Sequence, residues 1–305
     1  MEKTTVLFKK LRQVFRGKIL TNELLSEHTS FRIGGPADFY LYPKDLEDLI
    51  AVVDFCQREG IHRFVIGNGT NLLVNDSGYR GIVIDLSEAF VHINYKGNMV
   101  TVGSGVMMRD LLRYCTERGL SGLEPLVGIP GQVGGGIWLN AGAYGREIGD
   151  ALRSIRLLDK FGTLEKLQRE EINMGYRHVD LPHDVIIVEA QFFFSDGNPK
   201  EMELVQKSYL KKRKEKQPLS LPSAGSVFKR PPGDYAGRLI EEAGCKGLRI
   251  GDAMVSRKHA NFIVNCHLAS AQDVRRLIEE VKERVFRRFG VELELEIHLL
   301  GFNGK

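Results

Sequence analysis

The stretch GIPGQVGGGIWLNAG, residues 128–142, carries six glycines and a proline around the chain's only tryptophan. Glycine loses more backbone entropy on folding than any other residue. Such a density of it beside apolar residues points to strained angles or to the close approach of something flat. On spacing alone, a glycine-rich turn between strands satisfies the pattern equally well, and the rest of the chain has to decide.

A second loop of the same texture, GNGTNLLV at 67–74, follows the apolar run IHRFVI. It is not a dinucleotide fingerprint: the position of the third glycine falls at Leu72, and no helical pattern follows. Nor does any glycine precede Lys-Ser or Lys-Thr, as a P-loop requires. What remains is a short loop of small and amide residues that presents successive N–H groups to a phosphate. Two such loops, at 67–71 and 128–136, within one α+β stretch suit a ligand with a diphosphate and a flat ring. FAD fits that description. The Gly-Gly-Gly run would let its ring lie on bare backbone, with backbone or amide groups near Asn140 bonding the ring edge.

At 305 residues, with 43% hydrophobic and 27% charged residues, the chain has the composition of a globular protein of two or three packed units. No run approaches membrane-spanning length, so no membrane partner is expected. At the amino terminus Leu7, Phe8, Leu11, Val14 and Phe15 recur at helical spacing with basic residues between them, which predicts a helix and not a signal peptide. Cys56, Cys115, Cys245 and Cys266 lack CxxC spacing. This disfavours zinc and a disulfide framework and fits a reducing cytoplasm; no metal is expected. The formal charge of +4 is slight, and much of the basic excess sits in KSYLKKRKEKQP, 207–218. Such a run reads first as a solvated helix end. It lacks the interleaved aromatics of a nucleic-acid surface, so nucleic acid is not an expected partner. A non-catalytic nucleotide or nucleic-acid binder would account for the basic run but would leave the glycine loops unexplained.

Periodicity predicts a helix over KDLEDLIAVVDFCQREG, ending at Gly60, and another over MRDLLRYCTERG. GIVIDLS, MVTVGSG, the two arms of RSIRLLDKFGTLEKL (153–167, turning at 159–162) and DVIIVEAQFFF (184–194) read as strands. After Gly197 the texture changes to a basic helix, a Pro/Ser/Gly stretch and alternating helix and strand, which suggests a domain boundary. In DVRRLIEEVKERVFRRFG, residues Val274, Leu277, Ile278, Val281, Val285 and Phe286 share one helical face. The terminal VELELEIHLLG alternates as a strand, with Val291, Leu293, Leu295, Ile297 and Leu299 on one face and Glu292, Glu294, Glu296 and His298 on the other.

Seven segments, HTSFRIGGPADFYLYP, IGNGTNLLVND, GIPGQVGGGIWLNAGAYG, GYR, SAGSVFKRP, GDAMVSRKHANFIVN and LEIHLLG, resemble in this order the motifs of the UDP-N-acetylenolpyruvoylglucosamine reductases. They cover nearly the whole chain, and its shortness resembles the family's second type, which lacks a substrate-covering loop. The resemblance implies an α+β architecture: an FAD-binding fold of the vanillyl-alcohol-oxidase type, in two α+β subdomains (1–88 and 89–200), and a smaller α+β substrate-binding domain (201–298). A tail, 299–305, would return to the FAD domain. The implied reaction passes hydride from NADPH through FAD to the enolpyruvyl group of UDP-N-acetylglucosamine enolpyruvate, in the cytoplasm. An oxidase of the same fold, acting on another substrate, is the alternative. The sequence sets no oligomeric state, and a monomer is the simplest expectation.

Position by position, the resemblance implies catalytic roles for Arg177, Ser226 and Glu296. Arg177 would face the charge that hydride addition builds beside the substrate carboxylate. Ser226 would donate the proton and Glu296 would serve as an acid. Strand alternation alone does not separate Glu296 from Glu292 and Glu294, nor does composition separate Ser226 from Ser223. The cofactor is expected against Arg32, against Gly67, Asn68, Gly69, Thr70, Asn71 and Leu72, and against Gly128, Ile129, Pro130, Gly131, Gly134, Gly135, Asn140, Ala141 and Gly142. Tyr176, Lys229, Arg230, Lys258, His259 and Asn261 are the implied substrate-binding residues. Two positions depart from the family: Val179 stands where a serine usually follows the arginine, and Arg230 where many members have asparagine.

Overall fold

The computed structural model describes residues 2–182 and 184–302. The amphipathic amino-terminal run forms α1 (Glu2–Val14), and Leu11 and Phe15 are buried. Strands β1 (Lys18–Leu24) and β2 (Pro36–Tyr42) lead to α2 (Leu46–Glu59), capped by the Asp45 side chain and ended by Gly60 in a left-handed conformation. Next come β3 (Arg63–Ile66), β4 (Leu72–Val74), β5 (Tyr79–Asp85), β6 (Ile93–Lys96), β7 (Met99–Gly103), α3 (Met108–Glu117) and β8 (Leu120–Ser121). The second glycine stretch contains a short helix, α4 (Val133–Trp138), where sequence predicts only a loop. Val133 and Ile137, four residues apart, are both fully buried, and that packing holds the turn despite its glycines. Beyond it lie β9 (Gly142–Ala143), β10 (Arg146–Glu147), β11 (Leu152–Leu158), β12 (Leu164–Gln168), β13 (Asn173–Gly175), β14 (His178–Asp180), β15 (Ile186–Phe193) and β16 (Ser195–Asp196). The chain finishes with α5 (Pro199–Lys216), α6 (Ala236–Glu242), β17 (Arg249–Ile250), β18 (Ala253–Val255), β19 (Ile263–Asn265), α7 (Ala271–Phe289) and β20 (His298–Leu300).

Contacts divide the chain into two compact units, neither continuous in sequence. The first takes residues 1–21, 38–67 and 81–211; the second takes 22–37, 68–80 and 212–305. The change of unit after residue 197 that the sequence suggests falls within α5, between Lys211 and Lys212.

The first unit has two cores. A four-stranded sheet in the order β1-β2-β5-β3 packs with α1 and α2 around Leu11, Phe15, Phe39, Val52, Val53 and Ile84. A five-stranded antiparallel sheet, β12-β11-β15-β7-β6, packs with α3 and α4 around Val102, Leu111, Val133, Ile137, Ile155 and Phe192. The first core also takes in Leu158, Ile186 and Val188 from strands of the second sheet.

The second unit packs α6, α7 and the sheet β17-β18-β19 into one core. Two distant segments complete it: Phe31 and Ile33 from the stretch before β2, and Leu73 from β4, which pairs in parallel with β20. Val274, Leu277, Ile278, Val281 and Val285 line the buried face of α7 as predicted, but Phe286 is 52% exposed. That residue lies at the edge of the apolar stripe, and Val285 beside it already fills the last buried turn.

The terminal strand is shorter than its alternation suggests. Only His298–Leu300 is regular strand; upstream, Leu295 makes an isolated antiparallel bridge to Phe228. Leu293 and Ile297 are buried and Glu294 is exposed, and the stretch is pinned to a neighbouring segment, Lys229 N donating to Glu294 O and Glu296 N to Val227 O, each 2.8 Å. A bend at Ile297 shifts the phase, so Leu300 is buried and Leu299 only half-buried.

Candidate active site

In the first unit Gly67, which opens the first glycine loop, meets the second glycine stretch. A Cβ on Gly67 would lie 3.2 Å from Gln132 Oε1, in the residue that precedes α4. Within Gly134-Gly135-Gly136 the three glycines have different surroundings. A Cβ on Gly134 would come within 2.8 Å of Ser104 Cβ, and one on Gly136 within 2.9 Å of Met108 Cε. Those two are glycines so that α4 can sit close on its own unit. Gly135 is exposed, with nothing within 4 Å of where its Cβ would be. Trp138, three residues on, is likewise exposed. Beneath Gly134, Ser104 Oγ is buried and has no hydrogen-bond partner among the described residues. A bare stretch of backbone open to the outside, with an unpartnered buried hydroxyl under it, fits a flat polar cofactor such as FAD.

Asn140 closes this stretch. Its side chain is 2% exposed and its bonds stay within the protein: Nδ2 donates to Glu147 Oε2 (2.6 Å) and Gly175 O (3.0 Å), and Oδ1 accepts from Gly149 N (3.1 Å). The side-chain amide is thus a strut between α4 and the β13–β14 hairpin. Tyr176 and Arg177 form the two-residue turn of that hairpin. Arg177 is half-buried, and its guanidinium donates from Nη2 to Gly142 O (2.8 Å) and from Nη1 to Asn140 O (3.4 Å). Asn140 and Arg177 both adopt left-handed backbone, φ 42° and 52°. For non-glycine residues this costs about 1–2 kcal/mol each, and such strain gathers where function fixes geometry. The exposed Tyr176 ring lies 5.1 Å from the arginine's central carbon. Gly128, Ile129, Pro130, Gly131, Ala141 and Gly142 belong to the same unit.

In the second unit Ser226 lies on a short extended segment held on both sides. Ser226 bridges Phe262, Val227 N donates to Asn261 O, and Phe228 bridges Leu295. This antiparallel register sets Val227 opposite Glu296 and Ser226 opposite Ile297, so Ser226 and Glu296 belong to adjacent cross-strand pairs although 70 residues apart in sequence. Glu296 is half-buried, while Glu292 and Glu294 are exposed. Asn261 is a clamp on the serine segment: Oδ1 accepts from Phe228 N (3.0 Å) and Nδ2 donates to Phe228 O (2.8 Å). Ser223, the other serine of the motif, gives its carbonyl to Ser30 Oγ at 2.7 Å.

The first glycine loop extends into this unit. Asn71 Nδ2 donates to Glu296 O (2.9 Å), and Asn71 O accepts from His298 N. Gly69, at φ 57°, packs so tightly that a Cβ would fall 2.0 Å from His28 O. Arg32, at φ 56°, is exposed; Asn68 is exposed, Thr70 half-buried and Leu72 buried. Among the basic candidates, Lys229 Nζ lies 3.4 Å from Glu294, Lys258 Nζ donates to Lys214 O (2.6 Å), and Arg230 sits 4.8 Å over the Tyr235 ring. His259 Nδ1 is buried with no hydrogen-bond partner among the described residues, its ring lies edge-on to Phe262, and burial lowers its pKa.

Sequence reasoning passes over Ser104 and Gln132. Each is a single polar residue flanked by glycines or apolar residues, and only the fold brings Ser104 under Gly134 and Gln132 against Gly67. Among the described residues no group of three His, Cys, Asp or Glu side chains is arranged to hold a metal, and no helix is long and apolar enough to cross a membrane.

Comparison with known proteins extends over nearly the whole chain. Residues 37–168 match the family described as "FAD binding domain", and residues 217–300 match "UDP-N-acetylenolpyruvoylglucosamine reductase, C-terminal domain". A UDP-N-acetylenolpyruvoylglucosamine reductase of Lachnoclostridium phytofermentans is 41% identical over 97% of this chain and 97% of its own. One of Desulforamulus reducens is 43% identical, over 97% and 98%. The crystal structure of a UDP-N-acetylenolpyruvylglucosamine reductase from Thermus caldophilus superposes with a TM-score of 0.80 at 36% identity, covering 93% of this chain and 99% of that one.

Proposed function

Because the chain belongs to the UDP-N-acetylenolpyruvoylglucosamine reductase family, we propose that it reduces UDP-N-acetylglucosamine enolpyruvate to UDP-N-acetylmuramate, a cytoplasmic step of peptidoglycan synthesis, as a monomer. It is a flavin-dependent oxidoreductase with FAD as cofactor and takes its hydride from NADPH. Bound FAD supplies the hydride transfer from NADPH to the terminal carbon of the enol ether. The exposed backbone at Gly135 and the buried Ser104 hydroxyl are the groups that favour its seat in the first unit. Gly67, Gly128, Ile129, Pro130, Gly131, Gly134, Ala141 and Gly142 join that seat through their main chain, as does the Asn140 carbonyl.

Hydride arrival at the terminal carbon leaves negative charge on the neighbouring carbon, which already bears a carboxylate. Arg177 lowers that barrier by holding the carboxylate: its guanidinium stays charged at any working pH and is fixed in orientation by two carbonyls. A turn residue with a preset guanidinium needs no reorganisation when the charge develops. Ser226 Oγ delivers the proton to the carboxylate-bearing carbon, and Glu296, in the adjacent cross-strand pair, is the acid that supports it. Tyr176, Lys229, Arg230, Lys258, His259 and Asn261 serve the uridine diphosphate end, Asn261 by clamping the serine segment.

The observation that carries this reading is the identity of about two residues in five, over nearly all of both chains, to reductases of one named activity. The test is the visible spectrum of the purified protein under anaerobic conditions. The protein is expected to be yellow, to bleach with NADPH and to recover its colour when the enolpyruvyl sugar nucleotide is added. Recovery with oxygen alone would favour an oxidase, and a protein that stays colourless after FAD is supplied would overturn the flavin reading.

A further inference from the structure

Arg177 depends on the Gly142 carbonyl for its orientation, and Gly142 belongs to a hairpin too small to hold itself. β9 and β10 are two residues each, Gly142 opposite Glu147 and Ala143 opposite Arg146. A ribbon of that length has no independent stability. Its turn is Tyr144-Gly145, with both residues left-handed at φ 53° and 80°. Glycine takes that conformation freely, whereas a bulky aromatic keeps it only where the surroundings over-determine it. The Tyr144 ring is stacked on the ring of Tyr209 from α5, with centroids 4.4 Å apart and planes at 28°. The strand behind the turn leaves no slack, since a Cβ on Gly142 would fall 2.6 Å from Arg146 O.

We propose that Tyr209 is a positioning residue for Arg177, acting through the face of Tyr144. The α5 ring pins the strained turn, the turn sets the β9–β10 ribbon, and the ribbon presents the Gly142 carbonyl to Arg177 Nη2. The three links are a ring stack, a two-residue ladder and one 2.8 Å hydrogen bond, all within the first unit. Tyr209 lies 32 residues beyond Arg177 in a run whose sequence suggests only a solvated basic helix. The catalytic half of the proposal rests on the role given above to Arg177; the mechanical half does not.

Two measurements on the full-length, FAD-loaded protein test the halves separately. Amide hydrogen exchange of residues 142–147 is expected to quicken about tenfold in Tyr209→Ala and to stay at the wild-type rate in Tyr209→Phe, which keeps the ring face. Unchanged exchange in Tyr209→Ala, or equal acceleration in both variants, overturns the proposal whatever Arg177 does. In turnover, Tyr209→Ala is expected to lower kcat for the sugar nucleotide about tenfold, leaving anaerobic bleaching by NADPH at its normal rate, because a displaced guanidinium is misaimed and not absent. In an Arg177→Lys background the same substitution should cost less than a further twofold, since partners in one unit are not additive. A tenfold loss in both backgrounds overturns the catalytic coupling. Arg177→Lys with wild-type kcat instead overturns the role of Arg177 and leaves the exchange result to decide the clamp.

Discussion

At Gly135 the chain offers the clearest separation between a residue that serves the fold and one that serves a ligand. Its neighbours Gly134 and Gly136 are glycine because Ser104 and Met108 leave no room, whereas Gly135 has open space around it. Gly135→Leu should therefore leave the melting temperature of the flavin-free protein unchanged or raise it slightly, since leucine is the better helix former. FAD binding should weaken about tenfold or more as the side chain fills the cofactor's space, read by flavin titration. Gly134→Ala should do the reverse and melt early. Retained flavin affinity in Gly135→Leu would remove the glycine stretch from the cofactor seat. For the proton, Ser226→Ala is expected to slow colour recovery with the sugar nucleotide by about 10²–10⁴-fold while NADPH bleaches the flavin normally; recovery at the wild-type rate would acquit the serine. The glycine density was legible in sequence, but its division of labour was not, because the residues that require Gly134 and Gly136, Ser104 and Met108, lie about thirty positions away. Likewise nothing in GSVF or LEIH announces that the segment after Ser226 pairs with the one that holds Glu296; only the hydrogen bonds between 227–229 and 294–296 do.

Among the elements, those with strong local signals were readable. The helices with clear 3.6-residue stripes, α2, α3 and α7, fall where periodicity puts them, and the β11–β12 hairpin turns where Asp159 to Gly162 predict. α4 was not readable: glycines argue against a helix, and the burial of Val133 and Ile137 overrides them. The terminal strand failed for the opposite reason, since alternation records which side chains are buried and not whether a regular ladder continues. α7 shows a support of another kind. Besides its Ser270 capping box, its first N–H groups donate to the Asp76 carboxylate, Ala271 N at 2.8 Å and Gln272 N at 3.2 Å. An acid from a loop almost two hundred residues earlier thus finishes the helix start, satisfying donors that would otherwise be left over. Asp76→Ala should destabilise the protein by about 1–2 kcal/mol, seen as a lower urea midpoint, with FAD absorbance retained. An unchanged midpoint would mean that water replaces the carboxylate at no cost.

On the scale of the molecule, sequence suggests domains that follow one another, and the contacts draw units that interleave. The physical reason is visible in the second unit's core. Phe31, Ile33 and Leu73 lie among the side chains of α6 and α7, and β20 has β4 as its partner. A fragment of residues 199–305 keeps the helices and loses those contributions. It should fail to unfold cooperatively and should give poorly dispersed amide resonances; a well-folded spectrum from that fragment would show that the early segments are dispensable. Local patterning reports that Phe31 and Leu73 are to be buried but cannot say by what, since their partners are separated from them by most of the chain.

The same interleaving sets a timetable for synthesis. As the chain leaves the ribosome, the first unit can close once residue 211 has emerged. Leu73 and Phe31 must wait for α7, roughly 200 residues behind Leu73, which at 5–20 residues per second is roughly 10–40 s. Through that interval the nascent polypeptide displays sticky segments meant for a portion not yet translated, and for roughly the last 60 residues of that wait it does so with the first unit already complete.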